Sequence, residues 1–300
     1  MTVTVDENTP EVSASAPAST RTSLVLLGTK GGPRPGGERA APGQVIQVDD
    51  VYYLIDCGNG VCWQLAKANV PLNKIRNIFL THHHSDHNAD YGNVLLLSWA
   101  CGRSHIIDCY GPPPIATMTR MAFEMNSYDI SIRIEDEGRV DPRNLARVHE
   151  YSEPGFVLDD GKVRVTAALV PHPPVTPNFA YRFDTPDRSI VISGDTAPSD
   201  ALVELARGAD ILVHEALYAP GIDALAARVP NATTFKEHLL ASHTSTSDLG
   251  KIATRTGVKT LVLSHLVPGD DPLITDEMWT EEIRRDFDGE IIVGRDLMRF

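Results

Sequence analysis

Four histidines and an aspartate crowd into Thr81-His82-His83-His84-Ser85-Asp86-His87, directly after the apolar run Asn77-Ile78-Phe79-Leu80. Imidazole and carboxylate together suit zinc, iron or manganese, and no structural need concentrates such side chains where a strand should end. A chance surface histidine tract would leave the rest of the chain unexplained. Further donors follow other apolar runs: Val163 to Val170 leads to Pro171-His172, Ser189 to Ser193 to Gly194-Asp195, and Thr260 to Ser264 to His265. Strand ends held rigid by a sheet, with loops free to turn beyond them, are where a shared metal centre can be assembled. On a strand end of period two, His82 and His84 point one way and His83 the other, so His83 is expected to pack or support rather than ligate.

The segment His82-His83-His84-Ser85-Asp86-His87 resembles the HxHxDH signature of the metallo-β-lactamase superfamily. His172, Asp195 and His265 fall in the order of its remaining ligands. Leu27-Gly28-Thr29, Leu54-Ile55-Asp56-Cys57-Gly58-Asn59-Gly60 and Ser193-Gly194-Asp195-Thr196 bring the ribonuclease Z and arylsulfatase-like branches closest, and the resemblance runs from about Ser23 onward. It implies an α/β protein with the αββα sandwich and two divalent ions, zinc before manganese or iron. His82, His84 and His172 would hold one ion and Asp86, His87 and His265 the other, with Asp195 bridging and Asp86 counted also among the catalytic residues. A homodimer is the family's habit.

His214-Glu215-Ala216 and Ser242-His243-Thr244-Ser245 resemble the HEAT and HST motifs of ribonuclease Z, in which a glutamate orients a histidine that protonates the leaving group. A carboxylate beside an imidazole raises its pKa and fixes its tautomer, which a proton donor to a poor leaving group needs. Ala216 stands where that motif has threonine, which removes a hydroxyl and leaves the charged pair Glu215 and His243. The bland alternative is that both merely cap elements, and His238 is a rival donor.

Helix-like segments are expected at Val61 to Asn69, Ala89 to Ala100, Ile115 to Asn126, Ser199 to Ala206, Ser247 to Thr256 and Asp276 to Asp286, among many short strands. Residues 1–22, rich in Thr, Ser, Ala, Glu and Pro, read as a disordered tail, and 23–300 as one hydrolase domain. The tail lacks a basic region, an apolar core and twin arginines, and no run of eighteen apolar residues occurs. A cytoplasmic protein without membrane contact, with Cys57, Cys62, Cys101 and Cys109 as reduced, buried thiols, is expected.

Gly31-Gly32-Pro33-Arg34-Pro35-Gly36-Gly37 lacks the lysine-threonine ending of a phosphate loop and reads as a mobile loop at the pocket rim. Met118, Met121 and Met125 share one helical face, which belongs to the core or, with Tyr128, Trp63 or Phe179, to an apolar pocket. Ile132 to Arg147 reads as a solvated insertion. The net charge of −13 argues against a nucleic-acid partner, because phosphate contacts need basic side chains. The expectation is therefore hydrolysis of a small, apolar or aromatic molecule (ester, lactone, amide, sulfate or phosphodiester) by a metal-bridging hydroxide. The alternatives are cleavage of precursor tRNA by a ribonuclease Z, or metal binding without catalysis.

Overall fold

The computed structural model describes residues 21–300; most of the expected disordered tail lies outside them. Two sheets face each other. The first carries β1 (Thr22–Gly28), β2 (Gly43–Val48), β3 (Val51–Ile55), β4 (Ile75–Phe79), β5 (Ile107–Gly111) and β6 (Ala146–Glu150), in that order. The second carries β7 (Gly155–Asp159), β8 (Arg164–Leu169), β9 (Phe179–Asp184), β10 (Ser189–Ile192), β11 (Ile211–Leu217), β12 (Thr260–Val267) and β13 (Glu290–Val293), ordered from β13 to β7. In each sheet antiparallel hairpins give way to parallel pairs, β3 through β6 and β10 through β13. Parallel neighbours need crossovers, and the helices are those crossovers.

Alternation along the strands explains the layers. Leu24, Leu26, Ile46, Tyr53, Ile55 and Phe79 meet Val165, Tyr181, Phe183, Ile190 and Val213 between the sheets. The interleaved Val25, Leu27, Val45, Leu54 and Ile78 face outward, onto α1 (Val61–Lys67), α3 (Tyr91–Ala100), α4 (Ile115–Met125) and α5 (Ser127–Glu137). On the far side Val191, Leu212, Leu261 and Leu263 meet α6 (Asp200–Leu205), α9 (Thr246–Thr256) and α10 (Asp276–Thr280). This is the expected αββα order. Three further helices, α2 (Ser85–Asn88), α7 (Ile222–Ala227) and α8 (Phe235–Ser242), lie beyond strand ends. Among the described residues no helix is long and apolar enough to cross a membrane.

Several expectations are corrected. The segment read as a solvated insertion forms most of α5, a 3-10 turn and the start of β6, with Pro142 and Leu145 buried; nine of its sixteen residues are exposed, which is what masked the pattern. Helix α4 buries Ile115, Thr119 and Phe123, whereas Met121 and Met125 are exposed and Met118 is half-buried. The methionine face thus belongs neither to the core as a whole nor to the site. Trp63 and Tyr128 are exposed, and Phe179 is sealed between the sheets. Three cysteines are buried free thiols as expected, but Cys101 is exposed.

Candidate metal centre

The centre lies where β4, β10, β11 and β12 release their chains at one edge of the sandwich. Strand β4 stops at Phe79, three residues before His82, yet the path stays extended. Leu80 N–H donates to Tyr110 O, and Thr81 O accepts from Phe179 N–H across the gap between sheets. The alternation therefore persists. His82 and His84 turn inward, and His83 turns away, its Nε2 against Pro112 O and its Nδ1 against Asn88.

Three groups of donor atoms converge, the atoms of each within 4.8 Å of one another: His82, His84, His172 and Asp195 form the first, Asp86, His87, Asp195 and His265 the second, and Glu215, His243 and His265 a third that adjoins the second. Asp195 belongs to the first two. His84 Nδ1 lies 3.1 Å from His82 Nε2 and 3.1 Å from His172 Nε2, while His265 Nε2 lies 3.2 Å from Asp86 Oδ2 and 3.1 Å from Asp195 Oδ2.

Local backbone features aim these side chains. His265 is the extra residue of a β-bulge: Glu215 pairs with Ser264 and Ala216 with Leu266, so His265 leaves the ladder with φ 41°. A bulge bends its strand and redirects a side chain, and so β12 continues past the expected end at Ser264. Gly194, at φ 60°, turns β10 toward Asp195, and a Cβ there would lie 2.8 Å from Phe179 O and 3.1 Å from Thr81 Cβ. Only glycine meets both demands.

Surrounding groups fix which ring nitrogen faces inward. Asp56 Oδ2 accepts from His87 Nδ1–H at 2.8 Å, and Asp56 Oδ1 also accepts from Thr81 N–H. His172 Nδ1–H donates to Ser242 O at 2.9 Å. Both rings thus offer Nε2 to the centre, the way metal-binding histidines are held. Sequence reasoning gave Asp56 no role; the signal was its place in the Asp-Cys-Gly turn beside the histidine motif.

The chemistry of these donors fits divalent ions. His87 Nε2 and Asp195 Oδ1 are buried without hydrogen-bond partners, a costly state for polar atoms unless something else binds there. Burial holds His82 and His84 below the usual imidazole range and lowers His172 to about 4, keeping them neutral as metal ligands must be. Burial works against charge on His87 too, but Asp195, Asp56 and Asp86 outweigh it and raise its pKa, which marks a place that attracts a cation.

Beside the second group, Glu215 Oε2 lies 3.4 Å from His243 Nδ1, and Glu215 Oε1 accepts from Thr244 N–H at 2.6 Å. Both side chains are buried. Burial alone would lower the His243 pKa; Glu215, then Asp195 and Asp86, push it up to about 9. His238 sits on α8, with its ring 6.5 Å from that of His243.

A cavity of 290 Å³ opens onto Asp86, Asp195, His243 and His265. Its apolar wall is Leu225, Val229, Phe235, Leu239 and Val267, and its rim is Gly31 to Arg34. Helices α7 and α8, which build the wall, were not anticipated; Phe235 and Leu239 at i, i+4 were the available signal. The rim loop is where the sequence placed it and is tied at two points. Lys30 Nζ donates to Gly36 O at 2.9 Å, and Gly32 N–H donates to Asp86 Oδ2 at 3.0 Å.

Comparison with known proteins agrees with this arrangement. Residues 52–266 match the model of the beta-lactamase superfamily domain. The chain is 33% identical over 279 residues to Ribonuclease Z of Mycobacterium bovis (strain BCG / Pasteur 1173P2), covering 92% of this chain and 96% of that one. Among solved structures, the Bacillus subtilis metallo-beta-lactamase fold protein YhfI superposes with a TM-score of 0.69 at 22% identity, covering 93% of this chain and 98% of that one. Human tRNase Z, short form, superposes at 0.66 and 21% identity, with the same coverages. Relatives named for RNA cleavage overturn the expectation that nucleic acid is not the partner. Net charge misled because it is a sum over the whole chain and says nothing of where cations lie on the surface a substrate meets.

Proposed function

The chain belongs to the metallo-β-lactamase superfamily and is a metal-dependent hydrolase; on that premise we propose that it is a phosphodiesterase of the ribonuclease Z type that cuts precursor tRNA at its 3′ side. One observation carries the reading: the buried Glu215–His243 pair at 3.4 Å, set beside the first two donor groups and facing the cavity. A phosphodiester of RNA expels a sugar alkoxide, a poor leaving group that needs a proton, and a carboxylate-backed imidazole supplies one. Arg34 at the rim, with no ion-pair partner among the described residues, adds a cation where a polyanion would enter.

His82, His84, His172 and Asp195 would hold one ion, and Asp86, His87, His265 and Asp195 the other. Mixed imidazole and carboxylate donors suit zinc first. When bound, two such ions supply an activated water and neutralise charge on the phosphodiester. Asp56 keeps His87 oriented, and Ser242 O does the same for His172. Thr244 N–H holds Glu215, which in turn holds His243 with Nδ1 toward the carboxylate. As water adds to phosphorus and the P–O bond to the upstream sugar breaks, His243 delivers the proton that leaves that sugar with a free hydroxyl.

The test is incubation of metal-reconstituted protein with a precursor tRNA bearing a 3′ trailer. Release of the trailer by a single cut is expected. Intact precursor alongside rapid turnover of carboxylic esters or lactones would overturn the reading.

A further inference from the structure

Of the histidines that line the cavity, His238 is the one that neither the donor groups nor the proton transfer uses. It lines the cavity, and its ring centroid lies 6.4 Å from that of His84 and 6.2 Å from that of His172. That offset sets it to one side of the donor atoms, about where the unit next to a reacting phosphate would lie.

Its hydrogen bonding settles what it offers. Ser242, one turn on along α8, donates its hydroxyl proton to Pro173 O at 2.6 Å. The same hydroxyl oxygen lies 3.3 Å from His238 Nδ1. A serine has one proton to give, so Ser242 Oγ can only accept from the ring, and His238 carries its proton on Nδ1. Nε2 is then a bare acceptor, and among the described residues no donor meets it. An ordinary imidazole, with a pKa of about 6.5, is mostly neutral at pH 7 and above.

A neutral acceptor beside the reacting phosphate fits a hydroxyl donor. In RNA the hydroxyl nearest a phosphodiester, and absent from DNA, is the ribose 2′-hydroxyl, which serves as the mark by which proteins tell the two apart. We propose that His238 is a specificity residue whose Nε2 accepts a hydrogen bond from the 2′-hydroxyl of a ribose flanking the scissile phosphate, so that the centre selects ribonucleotide over deoxyribonucleotide at that position. The inference rests on the proposed RNA substrate. It replaces the role of rival proton donor, because a ring protonated only on Nδ1, facing Ser242, has no proton to deliver into the cavity.

The test uses zinc-reconstituted protein and a precursor tRNA in which a single 2′-deoxy substitution sits on one side or the other of the cut. Each enzyme is scored by its ratio of kcat/KM for the all-RNA over the deoxy substrate, so a general loss of activity cancels. The wild type is expected to favour RNA about 3- to 10-fold at one of the two positions, the range of one neutral hydrogen bond. In His238→Phe the ratio falls to near one, and in His238→Gln, which keeps an acceptor, it lies between. Metal content and thermal midpoint report that the variants fold. A wild-type ratio near one at both positions, or an undiminished ratio in a folded His238→Phe, overturns the proposal while tRNA cleavage stands. No cleavage of any tRNA by the wild type removes both readings together.

Discussion

Removing the His243 imidazole should slow cleavage of precursor tRNA by about 10²- to 10⁴-fold and leave metal content unchanged. The loss should be much smaller for a nitrophenyl phosphodiester, whose leaving group departs without a proton; equal losses with both substrates would reject the donor role. The pH profile carries a further expectation. A donor works only while protonated, so activity is present below its pKa and lost as pH rises through it. The carboxylates push that pKa up to about 9, and bound ions offset part of the push from Asp195 and Asp86. The alkaline limb should therefore lie between the ordinary imidazole value, about 6.5, and 9. Replacing Glu215 with glutamine should move that limb toward lower pH. At the centre itself, Asp195→Ala should abolish hydrolysis and reduce bound metal, since Asp195 belongs to the first two donor groups. Asp56 belongs to neither group, yet Asp56→Asn should weaken metal binding about 10- to 100-fold, measured by chelator competition, because it loosens the hold on the His87 ring. At this scale donors were legible in the sequence because a metal centre demands rare residue types in a short space. Partners such as Asp56 and Ser242 were not, since an aspartate in a turn and a serine ending a helix look ordinary until the chain folds.

Elements aim those donors through backbone features that leave little trace in composition. Gly194 shows how strict the aiming is: φ is 60°, and a Cβ would meet Phe179 O at 2.8 Å. Gly194→Ala is expected to cost about 1–3 kcal/mol in backbone strain alone, with more from the displaced carbonyl. It should lower both the unfolding midpoint and metal occupancy, which calorimetry and elemental analysis read separately; an unchanged midpoint would refute the strain. Phe79 tests the packing between the sheets, since its ring offers no donor atom to the centre. It stacks on Tyr110 at 4.8 Å and meets Phe183 edge-on at 5.3 Å, so Phe79→Ala should cost about 3–5 kcal/mol with metal stoichiometry intact in the folded fraction. Strong strands and most of the longer helices were legible because their periodicity is set by one buried face, whereas α5, which buries only Ile130, was not. Strands β6 and β7 escaped because they lie at sheet edges with many exposed positions, and α7 and α8 because they are short and bury only a few side chains each. The bulge at His265 escaped for another reason: a single extra residue does not alter an apolar run.

Across the whole molecule, the outer edge of β1 is closed by residues 297–300. Leu26 N–H donates to Met298 O and Leu297 N–H to Leu26 O, while Leu24 and Phe300 exchange both bonds. Deleting Leu297 to Phe300 would uncover a row of unpaired backbone groups on an apolar strand, which invites pairing with other chains. Concentration-dependent aggregation and a lower midpoint are the expected outcome, followed by light scattering and thermal melts. Net charge was the whole-molecule property that misled, for it is blind to where on the surface cations lie. The division of donors between the sheets has a consequence for the order of events during synthesis. His82, His84, Asp86 and His87 emerge from the ribosome early, but the first group lacks Asp195 and the second lacks His265 until much more of the chain has followed. Contacts so distant in sequence form late. A nascent chain stopped before β12 carries the first group but lacks His265, so it should take up at most part of the zinc complement in competition with cellular chelators, and capture of the rest should wait for the strand that brings His265.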